Sequence, residues 1–196
     1  MKKIWLSPPH ISGNELQKIQ QVFQENWIAP VGPQIGEFEA KISSFLGGQN
    51  RHVVALNSGT SALHLALKLL NIGSGDVVIC QSLSFAASVN PVLYEGATPV
   101  FVDSEKETYN LSPVYLEEAI TSQIKKGKKP KAIIAVHIYG MPYKVDEIHR
   151  ISAKYEIPII EDAAEAMGSR YSNRACGSFG DLALFSFNGN KIITTS

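Results

Sequence analysis

Short apolar runs that alternate with helical stretches constrain the fold of this chain more than any other feature. The runs contain no polar alternation and span Val53–Leu56, Val77–Cys80, Pro99–Val102, Ala132–Val136 and Ile157–Ile160. Strands that are apolar throughout are typical of a sheet covered on both faces. Helices are predicted over 61–70, 85–94, 112–125 and 145–155, and a further strand over 181–187. The pattern predicts an α/β fold with a mostly parallel sheet.

Two helices are predicted ahead of this region. Apolar residues recur at helical spacing in both, at Leu16, Ile19, Val22 and Phe23 and again at Ile35, Phe38, Ile42 and Phe45. The segment 27–33, which includes Pro30, separates them, and Gly47–Gly48 ends the second helix. We expect residues 1–50 to form an N-terminal helical extension and residues 51–196 to form the α/β domain.

The composition excludes several classes of function. Eighteen basic residues balance eighteen acidic ones, so no basic surface for nucleic acid or for an anionic membrane is expected. No segment reaches the roughly 18 apolar residues that a membrane span requires. Cys80 and Cys176 match no metal-binding spacing, and Cys80 is expected to be a buried thiol. These features indicate a soluble, cytoplasmic protein without a metal site, a nucleic-acid partner or a membrane partner.

A candidate phosphate site lies in Asn57-Ser-Gly-Thr-Ser-Ala-Leu-His64, between the first predicted strand and the helix that follows it. The start of a helix offers free backbone N–H groups and a positive dipole end to an anion. Gly59 would allow the backbone to approach a phosphate closely, and Thr60 and Ser61 would add hydroxyl groups. The alternative is an ordinary helix N-cap, a position that serine and threonine favour.

Two carboxylates, Glu161 and Asp162, follow the strand predicted over Ile157–Ile160. Ligand sites in open α/β sheets lie at the carboxyl ends of strands. A buried carboxylate there requires a cation or hydrogen-bond donors, and a pyridinium nitrogen is one such cation. The alternative for Asp162 is the N-cap of a following helix.

Phe85 and His137 also lie just after predicted strands. Phe85 could stack on a flat ring or pack into the core. His137 could be catalytic or could be a structural histidine with its hydrogen bonds satisfied. The residues by themselves leave both choices open.

Lys191 follows a turn after the last predicted strand, five residues beyond Ser186. A lone lysine in a turn is most often a surface charge. Here, however, a phosphate cradle, a flat apolar side chain, a buried acid and a lysine each follow a different strand. Together these groups have the chemistry that binds pyridoxal phosphate, since the lysine can hold the aldehyde and the acid can keep the ring nitrogen protonated.

The chain resembles the DegT-type sugar-nucleotide aminotransferases, a branch of the fold-type I pyridoxal-phosphate enzymes. The resemblance starts at Leu6-Ser-Pro-Pro and covers essentially the whole chain. Its markers are Asn57–His64, Pro99–Asp103, Val136–Gly140, Glu161–Gly168 and Phe185–Lys191. The resemblance implies the three-layer α/β/α large domain of that fold type, with N-terminal helices and pyridoxal 5′-phosphate as the cofactor.

The resemblance also implies roles for individual residues. Lys191 matches the lysine that holds the cofactor as a Schiff base, and Asp162 matches the partner of its pyridine nitrogen. Phe85 matches the aromatic residue stacked on the ring. The remaining cofactor contacts implied at matching positions are Ser58, Gly59, Thr60, Glu165, Ser186 and Asn188.

Glu165 departs from the commonest family pattern, in which glutamine occupies this position near the phenolic oxygen of the cofactor. Like-charge repulsion should disfavour ionisation of both groups. Glu165, together with Asn188–Ser196, resembles the subgroup that makes 4-amino sugars of the bacillosamine type. The implied substrates are a UDP-linked 4-keto-6-deoxy-N-acetylhexosamine and, as amino donor, glutamate.

Family members are roughly twice as long and carry a C-terminal domain that contributes to the substrate site. The resemblance therefore implies an N-terminal cofactor domain, which in the full-length form would belong to a homodimer. A cofactor-binding or interaction fragment without catalytic competence is the alternative. A dehydratase of the same fold is disfavoured, because relatives with that chemistry replace the lysine by histidine.

Overall fold

The computed structural model describes residues 11–29, 31–48 and 51–195. The motif Leu6-Ser-Pro-Pro, Pro30 and Ser196 lie outside the described residues, so the predicted extension over 1–50 is described only in part. The α-helices are α1 Glu15–Gln24, α2 Pro33–Phe45, α3 Gly59–Leu69, α4 Asn90–Tyr94, α5 Pro113–Lys125 and α6 Val145–Tyr155. The strands are β1 Val77–Gln81, β2 Thr98–Val102, β3 Ala132–Val136, β4 Ile159–Asp162, β5 Arg170–Tyr171, β6 Arg174–Ala175 and β7 Leu182–Leu184. Single 3₁₀ turns occupy Ala86–Ser88 and Ile138–Gly140.

Five strands form one parallel sheet in the order β2-β1-β3-β4-β7. The three inner strands β1, β3 and β4 are buried at every position. The predicted parallel sheet is therefore confirmed, and the uninterrupted apolar runs reflect its coverage on both faces. The edge strand β2 is less covered, since Phe101 is 58% exposed.

Alternate residues of the strands point into two separate cores, as the pleat requires. Val78, Cys80 and Ile160 face the layer formed by α3 and α4. Ile79, Ile133 and Ile159 face the layer formed by α5 and α6. The chain thus has the three-layer α/β/α architecture that the resemblance implied.

Local signals in the sequence fix several helix boundaries. The Ser58 side chain accepts the Ser61 N–H at the start of α3, and the Ser112 side chain accepts the Tyr115 N–H at the start of α5. Gly48 has φ of +75° and donates its N–H to the Ser43 carbonyl, which ends α2 as predicted. Helix α6 has the predicted bounds, Val145–Tyr155.

The strand predicted over Val53–Leu56 is wrong, and this segment forms no strand. Val54 is 67% exposed and Leu56 is 43% exposed, so the run is not sandwiched between helix layers. The Ala55 N–H bonds the Glu39 carboxylate rather than a neighbouring strand. Apolar composition alone therefore misidentified a connecting segment that leads into α3.

Other predictions also differ from the structure. The helix predicted over 85–94 is split into the 3₁₀ turn Ala86–Ser88 and the short helix α4. The strand predicted over 181–187 is limited to Leu182–Leu184. No helix follows Asp162, so the alternative of a helix N-cap at that residue is wrong.

The parallel arrangement brings the carboxyl ends of β1, β3, β4 and β7 to one edge of the sheet. The loops that carry Phe85, the 138–140 turn, Glu165 and Lys191 all leave from that edge. No helix of the described residues is long and apolar enough to span a membrane.

Candidate active site

Asp162 is a buried titratable group at this edge. Its side chain ends β4, is 5% exposed, and accepts hydrogen bonds from the Ser88 hydroxyl at 2.7 Å and the Ala164 N–H at 3.1 Å. Burial raises the pKa of the Asp162 carboxyl, although these two donors and the Lys191 charge act in the opposite direction. Among the described residues no cation forms an ion pair with Asp162. The site therefore holds a carboxyl group that an added cation would stabilise in its ionised form.

Ser88 ties Phe85 to this carboxyl group. The Ser88 N–H donates to the Phe85 carbonyl at 2.9 Å, while the Ser88 hydroxyl binds Asp162. The Phe85 side chain is 75% exposed, so the alternative of core packing is wrong. Its ring is free to cover a flat ligand, which is the role that the resemblance implied. The sequence analysis missed Ser88, although a small hydroxyl residue one turn after Phe85 was a usable signal.

The start of α3 faces the segment that leaves β7. A Cβ atom placed on Gly59 would lie 3.4 Å from the Ser186 Cβ and 3.6 Å from the Phe185 carbonyl oxygen. Ser58 caps the helix, and within the described residues no acceptor binds the Gly59 and Thr60 N–H groups. The start of α3 and Ser186 are thus brought together, and the cofactor contacts implied for Ser58, Gly59, Thr60 and Ser186 stay predictions. The helix N-terminus thus has unbound N–H groups beside Ser186, an arrangement that suits an anion, and a larger side chain at 59 would narrow the space there.

Lys191 is largely enclosed, with its side chain 13% exposed, so it is not the solvated charge that a lone turn lysine suggests. Its Nζ lies 3.3 Å from Glu165 Oε1. The other oxygen of Glu165 accepts the Tyr139 N–H at 2.8 Å. Tyr139 is held in the left-handed region, with φ of +51°. The charged group that contacts Glu165 is therefore the Lys191 ammonium.

Asn188 lies in the turn between Ser186 and Lys191. Its N–H donates to Ser186 Oγ at 3.4 Å, its carbonyl accepts the Lys191 N–H at 2.8 Å, and its side chain donates to Asn190. The side chain is exposed. Asn188 therefore shapes the turn that places Lys191.

A buried amide pair, which the sequence analysis missed, clamps the loops around Phe85 and Tyr139. Gln81 Nε2 donates to the Leu83 carbonyl at 2.8 Å and to Asn110 Oδ1 at 3.2 Å. Asn110 in turn accepts the Ile138 N–H at 3.0 Å and donates to the Met141 carbonyl at 2.8 Å. Since Gln81 ends β1, its polarity after an apolar run was the available signal.

His137 is fully buried and bonds the equally buried Glu161 at 2.7 Å. Its ring stacks on Tyr143 with 4.5 Å between centroids. Of the two alternatives left open for His137, the structural one is therefore confirmed. Cys80 is fully buried, as predicted.

A model of the DegT/DnrJ/EryC1/StrS aminotransferase family matches residues 9–196. The chain belongs to this family. EpsN of Bacillus subtilis is 51% identical to this DegT-family chain over 195 residues, covering 100% of the chain and 50% of EpsN. The GDP-perosamine synthase of Caulobacter vibrioides is 44% identical and is covered to the same extent, 100% and 50%. The chain thus spans about half the length of these curated relatives.

Solved structures agree with this assignment. The PLP form of Spr1654 from Streptococcus pneumoniae superimposes on the DegT-family chain with a TM-score of 0.88 and 33% identity. The match covers 99% of this chain and 51% of Spr1654. The α/β/α fold is accordingly that of the fold-type I pyridoxal-phosphate aminotransferases.

Proposed function

We propose that the chain binds pyridoxal 5′-phosphate through Lys191 and takes part in amine transfer from glutamate to a nucleotide-linked keto sugar. The observation that carries this proposal is the buried Asp162 carboxyl, which lacks a cation partner among the described residues, at the same edge as the enclosed Lys191. A cofactor with a cationic ring nitrogen and a reactive aldehyde complements both groups.

The residues at the edge of the sheet fit this cofactor. The space at Gly59, the hydroxyl groups of Ser58 and Ser186 and the free N–H groups of α3 suit a phosphate. The exposed Phe85 ring suits one face of a pyridine ring. Asp162 suits the ring nitrogen. Separate residues therefore suit the phosphate, the ring and the ring nitrogen, and Lys191 suits the aldehyde.

The cofactor, when bound, supplies the electron sink for proton removal from the amino donor. Asp162, held by Ser88 and Ala164, would keep the ring nitrogen protonated. Lys191 would hold the aldehyde and, as a free amine, its Nζ would carry a proton as general acid and base. Glu165, anchored by the Tyr139 N–H, would orient Lys191 and balance its charge.

For the sugar we propose a UDP-linked 4-keto-6-deoxy-N-acetylhexosamine, the substrate class implied by Glu165 and the residues around Lys191. A GDP-linked 4-keto sugar is the alternative to assay beside it, because one relative is a GDP-perosamine synthase. Turnover measured with each of the two nucleotide-linked sugars under the same conditions chooses between them.

The test is the absorbance spectrum of the purified chain loaded with pyridoxal 5′-phosphate. We expect a visible band that depends on Lys191, that falls when glutamate is added, and that returns when the keto sugar follows. Lys191→Ala should abolish the band, whereas Lys128→Ala, which removes an exposed lysine from a distant loop, should leave it unchanged. A wild-type chain saturated with cofactor but colourless, or an unchanged band in Lys191→Ala, would reject the proposal.

A further inference from the structure

Glu161 is a buried carboxylate that the proposed function does not use. It precedes Asp162 in β4, so the two side chains point to opposite faces of the sheet. Asp162 lies on the face of α3 with Ile160, and Glu161 lies on the face of α5 and α6 with Ile159. Glu161 therefore lies beneath the candidate cofactor site and does not line it.

Four donors converge on the Glu161 carboxylate. Oε1 accepts His137 Nε2–H at 2.7 Å and the Gly177 N–H, and Oε2 accepts the N–H groups of Phe179 at 2.8 Å and Gly180 at 2.9 Å. Burial opposes ionisation, yet these donors outweigh it and hold the pKa of Glu161 below its ordinary value. The carboxylate is thus the common acceptor for the loop that precedes β7.

The histidine extends this network to a second loop. The Tyr143 N–H donates to His137 Nδ1 at 3.3 Å, which leaves the proton on Nε2 for the bond to Glu161. His137 also immediately precedes the turn whose Tyr139 N–H holds Glu165. Glu161 therefore fixes the loop before β7 and the start of the turn after β3.

The loop before β7 packs directly against Phe185, the residue that precedes Ser186. Gly177 has φ of +89°, and a Cβ atom on it would lie 2.1 Å from Phe185 Cζ. The Phe185 ring thus rests on the Gly177 backbone. Phe185 is followed by Ser186, whose Cβ faces Gly59 across the cradle. A continuous path of contacts runs from the Glu161 carboxylate through Gly177 and Phe185 to Ser186.

We propose that Glu161 is a positioning residue for the phosphate side of the cofactor site, acting through Gly177 and the Phe185 ring on Ser186. The inference rests on the proposed function, since it assigns the cradle to the cofactor phosphate. Glutamine at 161 has one oxygen and an NH₂ group, so at least one of the four donors would face another donor. The loop would then shift, and Ser186 with it.

The test compares two ligands of the same pocket, pyridoxal 5′-phosphate and pyridoxal, in absorbance titrations of the full 196-residue chain. In Glu161→Gln we expect affinity for pyridoxal 5′-phosphate to fall by about tenfold, the effect of one lost phosphate contact, and affinity for pyridoxal by less than about twofold. Glu118→Gln, an exposed carboxylate of α5, is the matched control and should change neither. A general loss of folded protein would lower both affinities equally.

A folded Glu161→Gln chain whose preference for the phosphorylated ligand stays within about twofold of wild type would overturn the proposal. Should this variant fail to fold, Phe185→Leu decides in its place, because it removes the ring that rests on Gly177 and leaves Glu161 intact. The same loss of preference is expected there, and an unchanged preference overturns the proposal. A wild-type chain that binds both ligands equally would instead reject the phosphate cradle of the proposed function.

Discussion

At the scale of single residues, the surroundings of two neighbouring carboxyl groups in β4 shift their pKa values in opposite directions. Glu161 has four donors and a lowered pKa, whereas Asp162 has two neutral donors and a pKa raised by burial. A group whose pKa is raised on folding destabilises the fold as the pH rises through its folded value. Asp162 therefore destabilises the cofactor-free chain, and a cation bound beside its carboxyl group would offset this destabilisation.

Asp162→Asn should stabilise the cofactor-free chain at neutral pH and should slow the proposed amine transfer. Because burial disfavours the ionised form of Asp162, we expect a gain in the free energy of unfolding. The gain should vanish as the pH falls below the pKa of an unfolded aspartate, where both side chains are neutral. The proposed amine transfer should fall on the order of a hundredfold, as when other preorganised electrostatic partners are removed. Urea unfolding across pH and turnover assays measure the two effects.

Asp76 is the control, because the pKa of its carboxyl group is shifted in the opposite direction to that of Asp162. The Lys131 ammonium at 3.0 Å and the Gly73 N–H lower the pKa of its carboxyl despite partial burial. Its contribution to stability is present above the unfolded pKa and is lost as the pH falls through the folded one. Asp76→Asn should therefore destabilise the chain at neutral pH. If both asparagine variants shifted stability in the same direction, the electrostatic account of Asp162 would be wrong.

At the scale of elements, α3 and α5 both begin with a serine cap. The contribution of a cap to stability can therefore be separated from a contribution to cofactor binding. Ser58 caps α3 at 3.1 Å and Ser112 caps α5 at 3.4 Å, but only α3 points its N-terminus at the candidate site. Replacing either serine by alanine should cost roughly 1 kcal/mol of stability, the usual value of an N-cap. Only Ser58→Ala should also weaken binding of pyridoxal 5′-phosphate.

Urea unfolding and absorbance titration of the two variants measure these effects side by side. Equal weakening of cofactor binding in Ser58→Ala and Ser112→Ala would show that the loss reflects stability alone. It would then count against an anion cradle at the start of α3.

At the scale of the whole molecule, the two cysteines report on opening of the fold. Cys80 lies in the core between the sheet and α3, and Cys176 lies in a small cluster with Ala163 and Ala166. Burial raises the pKa of each thiol to about 12. At pH 8 the thiolate fraction, and with it the labelling rate, should be about a thousandfold below that of an unfolded cysteine.

Labelling with a chromogenic disulfide reagent, followed by mass spectrometry, tests this expectation. Cys80 should react only when urea unfolds the sheet, whereas Cys176 should react earlier because its cluster can open with the loop that contains it. Labelling of Cys80 in native buffer at the rate of the unfolded chain would contradict the packing of β1 between two helix layers.

Much of the fold follows from local patterns, because the polarity of neighbouring residues reports how each element is covered. The bounds of α6, the apolar strands β1 and β3, and the Gly47–Gly48 stop of α2 were all predictable on that basis. The segment Val53–Leu56 was not, since its apolar residues could not show that no neighbouring strand pairs with them. The split at Ala86–Ser88 was not predicted either, and Ser88 there bonds Asp162, a partner 74 residues away.

The sequence by itself determined the parallel sheet and placed Phe85, Asp162 and Lys191 at or after strand ends, because apolar runs that alternate with helical stretches can be recognised from neighbouring residues. Only the tertiary structure decided that Asp162 faces the site while Glu161 lies beneath it. It alone paired Glu165 with Lys191, and it alone joined Gln81 to Asn110. These contacts join segments at least 24 residues apart, and hydrogen-bond partners at such separations are set by how the layers pack rather than by neighbouring residues.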